Sequence, residues 1–217
     1  MAIDQIKKLI GSDMEAMDEV IRVKLHSDVV LVRQVGEYII NSGGKRLRPA
    51  LVILSSGAFN YTGKHHHNLA AIIEFIHTAT LLHDDVVDAS ELRRSKATAN
   101  ALFGNATSVL VGDFLYSRSF QMMVEVNNMR IMQVLADATN TIAEGEVLQL
   151  LNCRDPNVNE ENYLQVIRYK TAKLFEAATR LGAILSGVSP EKEESMASYG
   201  MHLGTAFQIT DDMLDYS

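Results

Sequence analysis

The chain has 217 residues, of which 47% are hydrophobic, and its formal net charge is −7. A chain of this size supports one sizeable hydrophobic core, so we expect a single domain over residues 1–217. The acidic balance argues against a nucleic-acid partner, which would need a basic field. The single cysteine, Cys153, excludes an internal disulfide framework and favours the reducing cytoplasm. No signal-peptide core and no run near the ~18 apolar residues of a bilayer span is visible, so we expect a soluble protein.

The segments between turns predict an all-α protein. Only three prolines interrupt the chain, and the long segments favour Ala, Leu, Met, Glu and Ile at helical spacing without sustained alternation. We expect loops at 95–105 and 152–157, and the triplet His65, His66 and His67 is predicted to be a loop with no metal role. We expect helices over residues 3–24, 28–41, 49–59, 69–88, 107–125, 131–151 and 160–186, and a last helix that starts with Pro190.

A basic loop follows the second predicted helix. Ser42-Gly43-Gly44 ends that helix, and Lys45-Arg46-Leu47-Arg48-Pro49 comes next. Three cations between two glycines and a proline suit the capture of an anionic head group. A solubilising basic turn explains the same residues, so their chemistry alone leaves both interpretations open.

An acidic cluster lies at the end of the fourth predicted helix. Steps of ~100° per residue place His77, Leu81, Asp84 and Asp88 in one stripe, with Asp85 at its shoulder. Converging carboxylates repel one another and are disfavoured at the negative end of a helix dipole. The cluster is therefore either a solvated acidic helix end or a site for hard divalent cations such as Mg²⁺, which also take oxygens from a phosphate.

Two further features favour the second interpretation. The following guanidinium groups, Arg93 and Arg94, suit bidentate bonds to phosphate. The segment Asp211-Asp212-Met213-Leu214-Asp215 repeats the Asp-Asp-x-x-Asp spacing at the end of another long helical stretch. Two such clusters on facing helices could hold several metal ions between them.

With both aspartate motifs and the basic loop, the chain resembles the trans-isoprenyl diphosphate synthases, most closely their long-chain members of the octaprenyl type. The resemblance implies an antiparallel helical bundle around a central active-site cavity, and a homodimer. It covers roughly the N-terminal two thirds of the family fold, so we expect the helical bundle to be incomplete at the C-terminus. We expect the activity of this chain to depend on the missing C-terminal region.

The resemblance also implies roles for individual residues. Mg²⁺ is assigned to Asp84, Asp85, Asp88, Asp211, Asp212 and Asp215. Isopentenyl diphosphate is assigned to Lys45, Arg48, His77 and Arg94, and the allylic diphosphate to Arg93, Lys170, Thr171 and Gln208. Among these, the residues expected to act in catalysis are Asp84, Asp85, Asp88, Arg93, Lys170, Asp211 and Asp212.

Two further sets of residues bear on the site. Glu146 and Gln149 lie in an otherwise apolar helix, where burial without hydrogen bonds is costly, so we expect them to face the site. The resemblance implies that Met122 and Met123 floor a tunnel for the growing chain, although core filling explains them equally well. Small residues at Ala79 and Thr80, where short-chain family members carry aromatic blocks, imply that the tunnel continues.

The implied reaction is a prenyl transfer. An allylic diphosphate, expected to be farnesyl diphosphate, loses pyrophosphate with the help of Mg²⁺, and isopentenyl diphosphate attacks the allylic cation. Repeated head-to-tail condensation would give a long all-trans polyprenyl diphosphate, expected to be octaprenyl, for a quinone side chain. We expect no transmembrane segment, but peripheral contact with a membrane for product release.

Three other functions share part of this pattern. A class I terpene cyclase has the fold and the first aspartate motif, but its second metal motif usually carries Asn or Ser with Glu, and it has no use for the loop at Lys45. A non-catalytic partner subunit of a synthase would be expected to lose aspartates or basic contacts, which are all present. An inactive fragment of a synthase stays an alternative, because the resemblance covers only the N-terminal two thirds of the family fold. A helical metal-binding or scaffold protein leaves their co-occurrence unexplained.

Overall fold

The computed structural model describes residues 3–93, 95–152 and 157–215. These residues are almost entirely helical, which confirms the predicted all-α class. The helices are α1 (Ile3–Lys24), α2 (Val30–Asn41), α3 (Leu47–Ala58), α4 (His65–Val87), α5 (Ala99–Phe103), α6 (Asn105–Val126), α7 (Met129–Asn152), α8 (Glu160–Ile167), α9 (Lys173–Leu185) and α10 (Pro190–Asp215). A π-helical segment, Arg168–Ala172, joins α8 to α9. None of the described helices combines the length and apolar content that a membrane span requires.

The helix ends follow local chemistry. The chain leaves α2 through Gly43, whose φ of +83° is readily adopted by a residue without a side chain. Asn127, in the left-handed conformation, ends α6, and the side chain of Asn159 caps α8 by accepting from the N–H of Asn162 at 2.8 Å. Pro190 is the first residue of α10, where the N–H that proline lacks would have no acceptor within the helix.

The backbone divides into two compact units, Met1–Pro49 with His67–Asn127 and Ala50–His66 with Asn128–Ser217. The expected single domain stays a prediction. In the first unit, most of the α4 surface is buried, with Leu69, Ile72 and Phe75 fully enclosed. Ser108 of α6 donates to the carbonyl of Leu82 at 3.0 Å, so α4 and α6 pack in direct contact.

In the second unit, α7, α9, α10 and the π-helical segment pack together. Glycines permit this close approach. A Cβ added to Gly145 of α7 would lie 2.8 Å from the backbone nitrogen of Lys170, and one added to Gly204 of α10 would lie 2.6 Å from the Cα of Ala172. The π-helical segment therefore packs closely against α7 at Gly145 and against α10 at Gly204, where neither helix has a side chain.

Three sequence predictions of local structure were wrong. The triplet starting at His65 forms the first turn of α4 and not a loop, since the helix of buried apolar residues extends back to it. The segment 95–105 contains β2 (Lys96–Ala97), which pairs with β1 (Leu92–Arg93), and the helix α5. The expected continuous helix over 160–186 is interrupted by the π-helical segment, which accommodates one extra residue per turn.

Candidate active site

The first acidic cluster lies at the carboxyl end of α4, in the first unit. Asp84 and Asp85 belong to the helix, and Asp88 follows it, with its N–H donating to the carbonyl of Asp84 at 2.8 Å. The carboxylate of Asp85 is buried, with an exposed fraction of 1%, while Asp88 is exposed. The end of the helix thus places three carboxylates close together in sequence, with Asp84 half-buried, Asp85 buried and Asp88 exposed.

Asp85 is paired on one side only. Arg93 donates from Nε at 3.0 Å and from Nη2 at 2.8 Å, and both bonds end on Oδ1. The other oxygen, Oδ2, is buried and has no hydrogen-bond partner among the described residues. A buried carboxylate oxygen left in this way requires a ligand or water to satisfy it.

The hairpin formed by β1 and β2 places Arg93 beside the acidic cluster. Arg93 pairs with Lys96 across the two strands, and Ser95 has a φ of +62° in the turn between them. The expected phosphate ligand Arg94 lies outside the described residues.

Arg46 and Arg48 of the basic loop contact different partners. Nη1 of Arg48 lies 3.2 Å from Nε2 of His77, which brings two residues predicted to bind the same diphosphate into contact. Lys45 is exposed. Arg46 instead pairs with Asp18 of α1 at 3.4 Å and with Glu74 of α4 at 3.6 Å, so this cation holds the loop against these two helices.

The residues predicted to line a tunnel lie in the core of the first unit. Ala79, Met122 and Met123 are almost completely buried, and the hydroxyl of Thr80 donates to the carbonyl of His77 at 2.8 Å. Such burial is equally typical of core filling, and the tunnel stays a prediction.

The second acidic cluster lies at the carboxyl end of α10, in the second unit. Both oxygens of Asp212 accept a hydrogen bond: Tyr163 Oη donates to Oδ2 at 2.5 Å, and Gln208 Nε2 donates to Oδ1 at 2.8 Å. Asp211 is half-buried and Asp215 is exposed. The second cluster thus contains one carboxylate whose orientation is set by hydrogen bonds.

Gln208 connects this carboxylate to the π-helical segment. The hydroxyl of Thr171 donates to Gln208 Oε1 at 2.9 Å, so a chain of hydrogen bonds runs from Thr171 through Gln208 to Asp212. Thr171 belongs to the turn in which the N–H of Lys173 reaches the carbonyl of Arg168, five residues back. Single π-helical turns inside α-helices are frequent at functional sites.

Lys170, predicted to bind the allylic diphosphate, is already paired in this structure. Its Nζ lies 2.7 Å from Glu146 Oε2 on α7, and both side chains are partly exposed. A diphosphate at Lys170 would therefore compete with a protein carboxylate.

A cavity of about 760 Å³ brings several of these groups together. Five predicted site residues with polar side chains line the cavity: Lys170, Thr171, Gln208, Asp212 and Asp215. Gln149 also lines the cavity, and its side-chain amide oxygen is buried without a hydrogen-bond partner among the described residues. The apolar lining residues are Val158, Val166, Ile167, Ile209 and Met213. The cavity therefore joins a polar edge to an apolar wall.

Sequence reasoning did not single out Tyr163, which lines the cavity, and did not predict the pairing of Glu146 with Lys170. Tyr163 lies seven residues before Lys170, which is the spacing of two helical turns, so this helical face contained a usable signal. The polar cluster ending at Gln149 was expected to face the site, and the lining of the cavity by Gln149 agrees with that expectation.

Known proteins resemble this chain over its whole length. The family model described as "Polyprenyl synthetase" matches residues 29–217. The octaprenyl diphosphate synthase of Escherichia coli strain K12 is 54% identical over 217 residues, which are 100% of this chain and 67% of that protein.

Two solved structures have closely similar folds. A decaprenyl diphosphate synthase from Rhodobacter capsulatus has a TM-score of 0.96 at 48% identity, and covers 99% of this chain and 66% of its own. A polyprenyl synthase from Caulobacter crescentus, complexed with calcium and isoprenyl diphosphate, has a TM-score of 0.96 at 47% identity, with the same coverage. The chain thus spans about two thirds of the length of the relatives that it matches.

Proposed function

The chain belongs to the polyprenyl synthetase family, and we propose that it is a prenyltransferase that condenses isopentenyl diphosphate with an allylic diphosphate. The allylic primer is farnesyl diphosphate, and repeated head-to-tail condensation gives an all-trans polyprenyl diphosphate of octaprenyl length for a quinone side chain. The observation that carries the proposal is the series of hydrogen bonds from Thr171 through Gln208 to Asp212, which lies at a cavity with both a polar edge and an apolar wall.

The residues of both acidic clusters fit a hard divalent cation. Such ions prefer carboxylate oxygens, and Mg²⁺ usually keeps several waters beside one or two protein carboxylates. The buried Oδ2 of Asp85, which has no hydrogen-bond partner within the described part of the chain, and the doubly hydrogen-bonded carboxylate of Asp212 match this preference. When bound, Mg²⁺ supplies Lewis-acid stabilisation of the charge that develops on the leaving diphosphate. The proposed ligands are Asp84, Asp85, Asp88, Asp211, Asp212 and Asp215.

The basic and polar side chains bind and orient the two diphosphates. Lys170, Thr171 and Gln208 line one cavity, where they hold the allylic diphosphate, with Arg93 as a further contact. The contact between Arg48 and His77 orients two donors for isopentenyl diphosphate, with Lys45 and Arg94 completing that set. Holding both reactants in fixed positions replaces a bimolecular encounter by a local one. The apolar wall excludes water, which would otherwise capture the allylic cation.

Product length and assembly belong to the same proposal. Relatives of this chain are named for octaprenyl and for decaprenyl products, so family membership leaves the length open. We propose that Ala79 and Thr80 let the growing chain pass and that Met122 and Met123 limit it. A homodimer in the cytoplasm, with peripheral membrane contact for product release, completes the proposal.

Incubation with labelled isopentenyl diphosphate, farnesyl diphosphate and Mg²⁺, followed by chromatography of the dephosphorylated products, tests this function. We expect a series of prenols that requires Mg²⁺ and is absent with Asp84→Ala. A chain of the relatives' full length that folds and binds Mg²⁺ with pyrophosphate and yet forms no product would contradict the proposed activity. The longest prenol in the series reports the product length.

A further inference from the structure

The hydroxyl of Tyr163 donates a short hydrogen bond to Oδ2 of Asp212, at 2.5 Å. Tyr163 lies in the first turn of α8, and its own N–H donates to the carbonyl of Asn159 at 3.0 Å. The capped start of α8 thus fixes the position from which the phenol reaches α10. The contact joins two helices that are far apart in sequence.

The two donors to Asp212 constrain it in different ways. Gln208 lies four residues before Asp212 on the same helix and is itself held by the hydroxyl of Thr171 at 2.9 Å. Tyr163 approaches the other carboxylate oxygen from another helix, and rotation of Asp212 would break its bond. The orientation of the carboxylate relative to the cavity therefore depends on Tyr163 as well as on Gln208.

Both of these donors are uncharged. A lysine or arginine in place of Tyr163 would also orient the carboxylate, but it would offset the negative charge that a cation needs. The contrast with Asp85 is direct, because that carboxylate is paired with the guanidinium of Arg93. Each carboxylate oxygen has two lone pairs, so Asp212 can accept both hydrogen bonds and still coordinate a metal ion.

We propose that Tyr163 is a positioning residue for divalent-cation binding by Asp212. This inference rests on the proposed function, since it assigns Asp212 to a metal ion. The phenol fixes the carboxylate in the orientation that the ion requires and leaves its charge intact. Groups that orient metal ligands commonly contribute about 10- to 100-fold to metal affinity, and we expect about tenfold here.

The test compares Tyr163→Phe with the unaltered chain and with Tyr199→Phe, in which a tyrosine that is 53% exposed on α10 loses its hydroxyl. Free Mn²⁺ is measured by electron paramagnetic resonance in the presence of inorganic pyrophosphate, which requires no prenyl transfer. We expect Tyr163→Phe to raise the Kd of Mn²⁺ about tenfold and Tyr199→Phe to leave it unchanged. Equal affinities of all three proteins would overturn the proposal.

The same substitution in an Asp212→Asn chain separates positioning from a structural role. If Tyr163 acts through Asp212, removing the phenol has no further effect on Mn²⁺ affinity in that background. A loss of similar size in both backgrounds would show that the phenol merely supports the fold, and would also overturn the proposal. This comparison remains informative if Tyr163→Phe lowers the midpoint of urea unfolding.

The readouts also distinguish this inference from the proposed activity. Unchanged Mn²⁺ binding by Tyr163→Phe in a chain that makes prenols contradicts the role of Tyr163 alone. Weakened Mn²⁺ binding by Tyr163→Phe, together with no prenols from a chain of the relatives' full length, contradicts the proposed activity alone. In an active chain, we expect Tyr163→Phe to raise the Mg²⁺ concentration for half-maximal rate about tenfold and to recover most of kcat at saturating Mg²⁺.

Discussion

Nζ of Lys170 lies 2.7 Å from Oε2 of Glu146, so the lysine proposed to bind a diphosphate is held by a carboxylate of the protein. A substrate diphosphate must share or displace this partner. The pair joins α7 to the π-helical segment, and both side chains keep partial access to solvent. The ion pair therefore both positions the lysine and opposes an incoming anion.

Substitution Glu146→Gln should strengthen the binding of inorganic pyrophosphate. The neutral amide can still accept from Lys170, but it no longer offsets the lysine charge. Partly exposed ion pairs contribute up to ~1 kcal/mol, so we expect up to about fivefold tighter binding by calorimetry. Glu144→Gln removes the same charge from an exposed position of α7 and should have little effect. Weaker binding by Glu146→Gln would mean that orientation of Lys170 by the carboxylate outweighs the competition.

Substitution Arg93→Ala should destabilise the chain in the absence of a divalent cation, because it leaves the buried Asp85 carboxylate without its cation. Breaking a fully buried pair costs about 3–5 kcal/mol, and the partial exposure of Arg93 reduces our expectation to about 1–3 kcal/mol. Urea unfolding measures the loss.

The control is Arg22→Ala, which removes an exposed partner of Glu19 and should change stability by less than ~1 kcal/mol. Addition of Mg²⁺ with pyrophosphate should recover part of the stability of Arg93→Ala. An effect of Arg93→Ala no larger than that of the control would contradict the described pairing.

Substitution Gly145→Ala should lower stability and weaken pyrophosphate binding together. The added Cβ would lie 2.8 Å from the backbone nitrogen of Lys170. A backbone atom cannot move aside as the end of a flexible side chain can, so the π-helical segment must shift. Overpacking of this kind costs about 1–3 kcal/mol.

The matched control for this glycine is Gly11→Ala in α1, where an added Cβ meets nothing within 4 Å. That change should stabilise the chain by about 0.5–1 kcal/mol, because alanine favours a helix interior over glycine. Stabilisation of similar size in both variants, measured by thermal unfolding, would contradict the close packing at Gly145.

Substitution Asp212→Asn should reduce the stabilisation of the chain by Mg²⁺ and pyrophosphate. A ligand at 100 times its Kd stabilises a folded protein by about 2.7 kcal/mol, so a tenfold weaker affinity removes about 1.4 kcal/mol of that effect. The readout is the rise in Tm on adding both ligands. Asp137→Asn, an exposed aspartate of α7, should keep the full rise. A full rise with Asp212→Asn would exclude this aspartate from the metal site.

The helical content could be predicted from the sequence because it is set by local periodicity. Apolar residues such as Leu69, Ile72 and Ile76 at helical spacing predict α4, and they are fully buried. The repeated Asp-Asp-x-x-Asp motif and the basic loop identified the family for the same reason, since short motifs keep their spacing in the chain. Local chemistry therefore determined the secondary structure, the family and the candidate residues.

The sequence failed where a partner distant in the chain decides the outcome. Nothing near Thr171 specifies a π-helical turn, and the turn lies in close contact with Gly145 and Gly204 of two other helices. Likewise, Arg46 and Arg48 look equivalent in the basic loop, and only the folded chain directs Arg46 to Glu74 and Arg48 to His77.

The sequence by itself determined which residues are candidates for the chemistry, because carboxylates, guanidinium groups and their spacing along a helix are local properties. The tertiary structure alone decided how these groups are held. It paired Lys170 with Glu146, left one oxygen of Asp85 buried without a partner among the described residues, and placed Tyr163 against Asp212. The physical reason is that hydrogen bonds and ion pairs between helices depend on packing across long stretches of chain, which local propensity does not record.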